Sequence, residues 1–199
     1  MNRLWLATFF SVLIWSGYEP KDRFTWFLEV APALIGVVAL WLTRTKFQLT
    51  KLLYVLTLIH CIILMIGGKY TYAEVPAFNW IRDTFGLARN HYDRVGHFAQ
   101  GFIPAILARE ILLRTSPLRR GKWLAFIVVC ICLAFSAFYE LIEWWVAALT
   151  GESAEAFLGT QGDPWDTQSD MMLALIGAMT SLAVLKSVHD RQLGRGRRT

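Results

Sequence analysis

Residues 123–149 read WLAFIVVCICLAFSAFYELIEWWVAAL, a stretch with no Lys or Arg and with two glutamates, Glu140 and Glu143, close to its end. A run of this length would extend about 40 Å as a helix, more than the roughly 30 Å hydrocarbon core of a bilayer, so it reads as a tilted or protruding transmembrane span. Working outward, comparable apolar blocks occur at Leu4–Ser16, Trp26–Leu42, Leu52–Ile66, Tyr92–Leu113 and Pro164–Val188. The chain has 199 residues, 55% of them hydrophobic and only 18% charged, a composition that excludes an ordinary water-soluble domain. The expected fold is therefore an all-α integral membrane protein, a bundle of about six transmembrane helices. Pro76–Leu87, with Phe78, Trp80, Ile81 and Phe85, is expected as an interfacial helix between spans 3 and 4. Residues 1–190 form one polytopic domain in this reading, followed by a basic cytoplasmic tail at 191–199.

The first block follows Arg3 and resembles a signal peptide, but no A-x-A-like site follows it, so it is expected to stay as a span. The third block is expected to stop at Gly67-Gly68. Cys61, Cys130 and Cys132 all lie in apolar blocks and read as small core residues.

Orientation follows from the positive residues, which are retained on the cytoplasmic side. With the N-terminus inside, the inside connections carry Arg3, then Arg44, Lys46 and Lys51, then Arg114, Arg119, Arg120 and Lys122, and finally Lys186, Arg191, Arg195, Arg197 and Arg198. The outside connections carry only Lys21, Arg23, Lys69, Arg82 and Arg89, and the 150–165 connection has Glu152, Glu155 and Asp163 with no positive charge. Both termini are thus expected in the cytoplasm of a bacterial cell with the chain in its inner membrane. Membrane lipids are the expected partners, and nucleic-acid binding is not, because the basic tail suits anionic headgroups.

The ionisable residues of the last three spans gather at one end, the outer one in this topology. Asp93, His97 and Gln100 share a helical face, as do Ser136, Glu140 and Glu143, and as do Asp163, Asp166 and Asp170. Carboxylates and an imidazole converging at the mouth of a bundle are materials for a divalent-metal site or for paired acid and base groups. The catalytic candidates are Asp93, His97, Glu140, Glu143 and Asp170; the metal-ligand candidates are His91, His97, Glu140, Asp166 and Asp170. Arg94, Gln100 and Gln161 are substrate-binding candidates, Arg94 for an anionic headgroup.

Simpler roles compete for some of these. Asp163 before Pro164 reads as a helix N-cap, and Asp166 falls in a first turn where the dipole favours it. Tyr70, Tyr72, Trp144, Trp145 and Trp165 read as interfacial aromatics, His60 as a core or interhelical partner, and His189 as a solvated residue of the tail. Asp170 and Glu140 resist such readings, because an unemployed charge inside a span typically costs about 2.5 to 3.5 kcal/mol. No phosphate-loop, H-E-x-x-H or G-x-S-x-G pattern is present.

The segments Asn90-His91-Tyr92-Asp93-Arg94 with His97, Tyr139-Glu140 with Glu143-Trp144, and Gly162-Asp163 to Asp170-Met171 resemble the YjdF family of bacterial inner-membrane proteins over nearly the whole chain. The resemblance implies a multi-pass membrane location and no established activity. A partial likeness to the VanZ-like family, associated with glycopeptide resistance, lies in the order Asp-x-x-x-His, acids and a late Asp heading a helix. The Arg-containing stretch before the late aspartates has no counterpart here. Three functions fit the residues: a membrane enzyme acting on a lipid or lipid-linked substrate, a cation- or proton-binding transport protein, and a structural bundle with a buried ion-pair network.

Overall fold

Apolar blocks of this length become helices because a helix satisfies every backbone polar group within its own segment. The computed structural model describes residues 2–150 and 159–195; Glu152, Glu155, Arg197 and Arg198 lie outside the described residues. Seven α-helices occur among them: α1 (Arg3–Gly17), α2 (Arg23–Thr43), α3 (Lys51–Tyr70), α4 (Pro76–Phe85), α5 (Tyr92–Thr115), α6 (Lys122–Thr150) and α7 (Asp166–Arg195). No strand is present among the described residues. Four helices, α2, α3, α6 and α7, are long and apolar enough to cross a membrane. The 24-residue α5 is also long enough, but its charged residues lower its hydropathy, and α1 has only 15 residues.

The closest packing is between α5 and α7. A Cβ placed on Gly101 would collide with the backbone of Ala174, and one on Gly177 with the carbonyl of Phe98, so small residues on both helices bring the two backbones into contact. This contact fixes the height of Asp93 and His97 against Asp166 and Asp170. Helix α6 packs on both α5 and α7, α3 packs on α5, and α2 and α1 pack on α3. Trp5 ties α1 to α3 by donating its indole N–H to the Tyr54 carbonyl at 2.7 Å.

Several sequence expectations need correction. Helix α3 does not stop at Gly67-Gly68 but runs to Tyr70, and those glycines are packing positions. Gly67 lies under the Tyr72 ring, and Gly68 lies against Glu29 and Val30 of α2. After α3 the backbone turns through left-handed conformations at Thr71 (φ 56°) and Tyr72 (φ 21°). That turn drives Tyr72 inward between Gly67 and Gly96, so Tyr72 is a buried residue and not an interfacial aromatic. Trp144, Trp145 and Trp165 are exposed, as an interfacial position requires. Helix α4 forms where expected and buries none of its residues. It is held by Phe78 packing edge-on to Tyr92 and by Asn79 accepting from the Asn90 amide at 2.8 Å.

His189 is not solvated. Helix α7 continues beyond Val188 to Arg195, and His189 is fully buried. Its Nε2 lies 2.9 Å from Glu110 and its Nδ1 2.8 Å from Arg109, while Arg109 also donates to Asp190 at 2.7 Å. Glu110 in turn accepts from the Thr50 hydroxyl at 2.8 Å and the Thr50 amide at 3.1 Å, and Gln192 accepts from the Leu52 amide at 2.9 Å. Thr50 does not cap α3 with its own side chain. A carboxylate from α5 and an amide from α7 satisfy the first donors of α3 instead, where the helix dipole favours negative charge.

Candidate functional site

Three helical faces meet at the end of the bundle where α5 and α7 begin and α6 ends. Asp93 and His97 stand one turn apart on α5, and Asp170 comes from α7 immediately before an apolar run. One ligand atom from each of Asp93, His97 and Asp170 lies within 4.8 Å of the others, and all three residues are buried. His97 Nε2 is 3.4 Å from Asp93 Oδ1 and 3.9 Å from Asp170 Oδ2. On the other side of the ring, Nδ1 is 3.0 Å from Gln100 Oε1 and 3.7 Å from Glu140 Oε1.

Gln100 Oε1 can only accept, which places a ring proton on Nδ1, and Nε2 faces two carboxylates either as the second N–H donor of a charged ring or as a bare lone pair. Lone pairs facing each other in a buried site repel unless a proton or a cation stands between them. Bonds of about 2.0 to 2.1 Å around a tetrahedral ion would set ligand atoms about 3.3 to 3.4 Å apart, the Asp93–His97 separation, while the 3.9 Å between His97 and Asp170 is wider. Asp93 Oδ2, Glu140 Oε1 and Asp170 Oδ1 are buried and have no hydrogen-bond partner among the described residues. Buried carboxylate oxygens are costly when left so, and a divalent cation would satisfy several at once. The residues therefore fit an oxygen- and imidazole-bound metal ion.

Beside this set lies a second arrangement built on Arg89, which precedes α5. Its guanidinium pairs with Asp166, reaches Asp163 Oδ2 at 3.4 Å and Asp93 Oδ2 at 3.6 Å, and donates to the Gly159 carbonyl at 3.1 Å. Asp166 is thus held by Arg89 next to the His97 group. Regular α7 begins at Asp166, preceded by a turn in which Asp163 accepts from the Trp165 amide at 3.0 Å, a capping contact, while pairing with Arg94 at 3.1 Å. Gly159 (φ 62°) and Gly162 (φ 83°) supply the left-handed turns that bring this loop back over α5.

Gln161 clamps the same loop, accepting from the Asn90 amide and donating to the Asn90 carbonyl, both at 2.9 Å. Its amide is engaged by the protein and does not face the cavity. His91 occupies the position before α5 and is not one of the three residues whose ligand atoms gather within 4.8 Å. Burial and the nearby Arg94 and Arg89 push the His91 imidazole below the ordinary histidine range.

Asp93 and His97 of this group line a cavity of about 670 Å³ between α2, α3, α5 and α6. Its upper end is polar, with Glu29, Asp93, His97, Gln100, Tyr139 and Glu143. Tyr139 donates to Glu29 Oε2 at 3.3 Å and bridges α6 to α2 there. Two of these contributors, Glu29 and Tyr139, were not among the sequence candidates, and neither was Arg89 beside them. Glu29 carried the available signal of a lone carboxylate inside an apolar span. Tyr139 entered the sequence reading only as part of the Tyr139-Glu140 segment, with no role assigned. Arg89 entered the sequence reading only as a loop charge. His60, expected in the core, lies in the cavity wall with Nδ1 unpartnered among the described residues.

The model of a family described as "Predicted membrane protein (DUF2238)" matches residues 1–191. The chain is 52% identical over 184 residues to the inner membrane protein YjdF of Escherichia coli (strain K12), covering 92% of this chain and 88% of that protein. No solved structure matches.

Proposed function

Since the chain belongs to the DUF2238 family of predicted membrane proteins, we propose that it is an inner-membrane enzyme that uses a divalent metal ion to act on a lipid or lipid-linked substrate. The supporting observation is the convergence of Asp93, His97 and Asp170 from two helices, with Glu140 adjacent, of which Asp93 and His97 line the polar end of a cavity. Asp93, Glu140, Glu143, Asp166 and Asp170 outnumber the positive groups beside them, Arg89 and a protonatable His97. Such an excess of buried carboxylates is relieved by a cation or by retained protons, and the proposal assigns a cation.

In this proposal Asp93, His97 and Asp170 hold the ion and Arg89 fixes Asp93 and Asp166 in place. When bound, the ion would polarise a phosphoryl or carbonyl oxygen of the substrate. Glu140 and Glu143, within the same buried group, serve as proton acceptors. Six passes, with α4 at the interface and both termini cytoplasmic, put the site on the outer side, in keeping with the positive charges counted above. Helix α1, at about 22 Å, crosses only together with its flanking residues.

A transporter would need polar groups continuing across the bundle. Below His97 the cavity wall is formed by Pro104, Leu107, Ala108 and Ile111 on α5, and the Glu110–His189 pair points to α3 and α7. These features favour a one-sided site. Elemental analysis of the purified protein tests the metal: near-stoichiometric divalent metal that disappears in Asp170→Asn supports it, and a metal-free wild type after reconstitution with Zn²⁺ or Mn²⁺ refutes it. Lipid profiling of a deletion strain tests the substrate: an accumulating lipid cleared by the wild type but not by Asp170→Asn supports the enzyme.

A further inference from the structure

The cavity has two chemically distinct parts, and the lower one has no use in the metal chemistry. Below His97 and Gln100 it is walled by Pro104, Leu107 and Ile111 of α5, Ile131 and Phe135 of α6, and Ile35 of α2. From His97 to Leu112, the lowest α5 residue in the wall, an α-helix rises about 22 Å. His60 is the polar exception in this lower part. Helices α2 and α6 flank the space without packing on each other along their length, and Tyr139–Glu29 is their hydrogen bond at the polar end. Ile35, Phe135 and Phe138, which line the cavity, are exposed large apolar side chains. With little packing between α2 and α6, the cavity is not sealed along that seam.

Gly36 and Pro32 widen the α2 wall. A Cβ on Gly36 would meet nothing within 4 Å, so that glycine leaves open space and serves no close helix contact. Pro32 and Pro104 both line the cavity, and each removes a backbone N–H from its helix.

We infer that the lower cavity holds one hydrocarbon chain of a lipid, which enters sideways between α2 and α6, and that the chain's polar end is thereby delivered to Asp93, His97 and Glu143. This rests on the proposed lipid-directed function and adds the binding mode to it. A long apolar slot that meets the bilayer laterally and ends at carboxylates suits an amphiphile whose polar part is cationic or bridged by a metal ion. A wholly water-soluble substrate would leave that slot unused.

The test uses the full-length protein in detergent with palmitic acid bearing a mid-chain diazirine, photolysed and mapped by mass spectrometry. Cross-links should concentrate on wall residues such as Ile35, Leu107 and Ile131. Gly36→Trp, which fills the open space, should lower them at least tenfold, and Ala108→Trp on the facing wall should do the same. Folding of both variants is checked by monodisperse elution and by metal content equal to wild type. Cross-links spread over the lipid-facing residues Phe10, Trp123 and Leu133 and insensitive to both tryptophans would overturn the inference. Asp170→Asn separates the two proposals: lost metal with retained cross-linking leaves the slot standing on its own, whereas a metal-free wild type that still cross-links removes the metal site alone.

Discussion

His97 on α5 and Asp170 on α7 face each other across the tightest helix contact of the bundle, with Nε2 3.9 Å from Oδ2. Both side chains are buried, and Asp170 Oδ1 has no hydrogen-bond partner among the described residues. In the absence of a cation, Asp170 adds to the repulsion among Asp93, Glu140 and Asp166. EDTA should therefore lower the melting temperature of wild type in detergent. A ligand at 100 times its Kd adds about 2.7 kcal/mol. Asp170→Asn should melt at the same temperature with or without EDTA, and above EDTA-treated wild type. An EDTA effect of equal size in both proteins would contradict this.

The contact that sets the height of this pair rests on small residues. Gly101→Leu should force α5 and α7 apart, cost about 1 to 3 kcal/mol, and reduce metal retention because Asp170 moves away from His97. Gly36→Ala is the control: its Cβ meets nothing, and relief of glycine's conformational freedom in a helix should leave stability unchanged or raise it by about 0.5 to 1 kcal/mol. Thermal denaturation of the two variants side by side measures the difference.

Arg89 and Arg94 should behave differently although both pair with Asp163. Arg89 is buried and touches Asp166, Asp163, Asp93 and the Gly159 carbonyl, whereas Arg94 is a third exposed and meets Asp163 alone. Arg89→Met leaves buried carboxylates without their counter-charge and should destabilise by about 3 to 5 kcal/mol. Arg89→Lys should recover only part of this, since a single ammonium cannot serve four acceptors held by a planar fork. Arg94→Met should cost about 1 kcal/mol or less.

The neighbouring His91 supplies a pH dependence whose sign is defined. Burial, then Arg94 and Arg89, disfavour its charged form in the folded protein, so below the ordinary histidine range the unfolded chain binds more protons. Its contribution to stability is present at neutral pH and is lost as the pH falls through that range. Arg94→Gln should move the His91 titration upward, followed by ring-proton NMR of selectively labelled protein, and should shrink the stability loss on acidification.

The polar face of each late helix was legible in the sequence because helical periodicity alone assigns Asp93 with His97, Ser136 with Glu140 and Glu143, and Asp166 with Asp170. Their convergence was legible only through topology, since charge counting put all three helix ends on one side. Arg89 and Gln161 were not legible as partners of Asp166 and Asn90, because loop residues carry no periodicity and their pairings span some 70 residues of chain. Tyr72 reads as an interfacial tyrosine until the left-handed turn at Thr71 sends it inward. His189 lies in a polar segment whose composition resembles a solvated tail, and its burial depends on Glu110 and Arg109 of a distant helix.

The buried cytoplasm-facing network of the proposed topology should act as a latch independent of the metal. His189→Ala removes a partner from both Glu110 and Arg109 and should cost about 1 to 3 kcal/mol. A double-mutant cycle with Glu110→Ala should show coupling, while the metal content of His189→Ala stays at the wild-type level. Loss of metal in this variant would tie the two ends of the bundle together and contradict their separation.

Metal K-edge X-ray absorption of the protein loaded with one equivalent of Zn²⁺ bears most directly on the site. It should show an imidazole at about 2.0 Å together with carboxylate oxygens at about 2.0 to 2.2 Å, and His97→Gln should lose the imidazole scattering. A shell of oxygens alone in wild type, or a spectrum unchanged by His97→Gln, would contradict a metal centre at Asp93, His97 and Asp170.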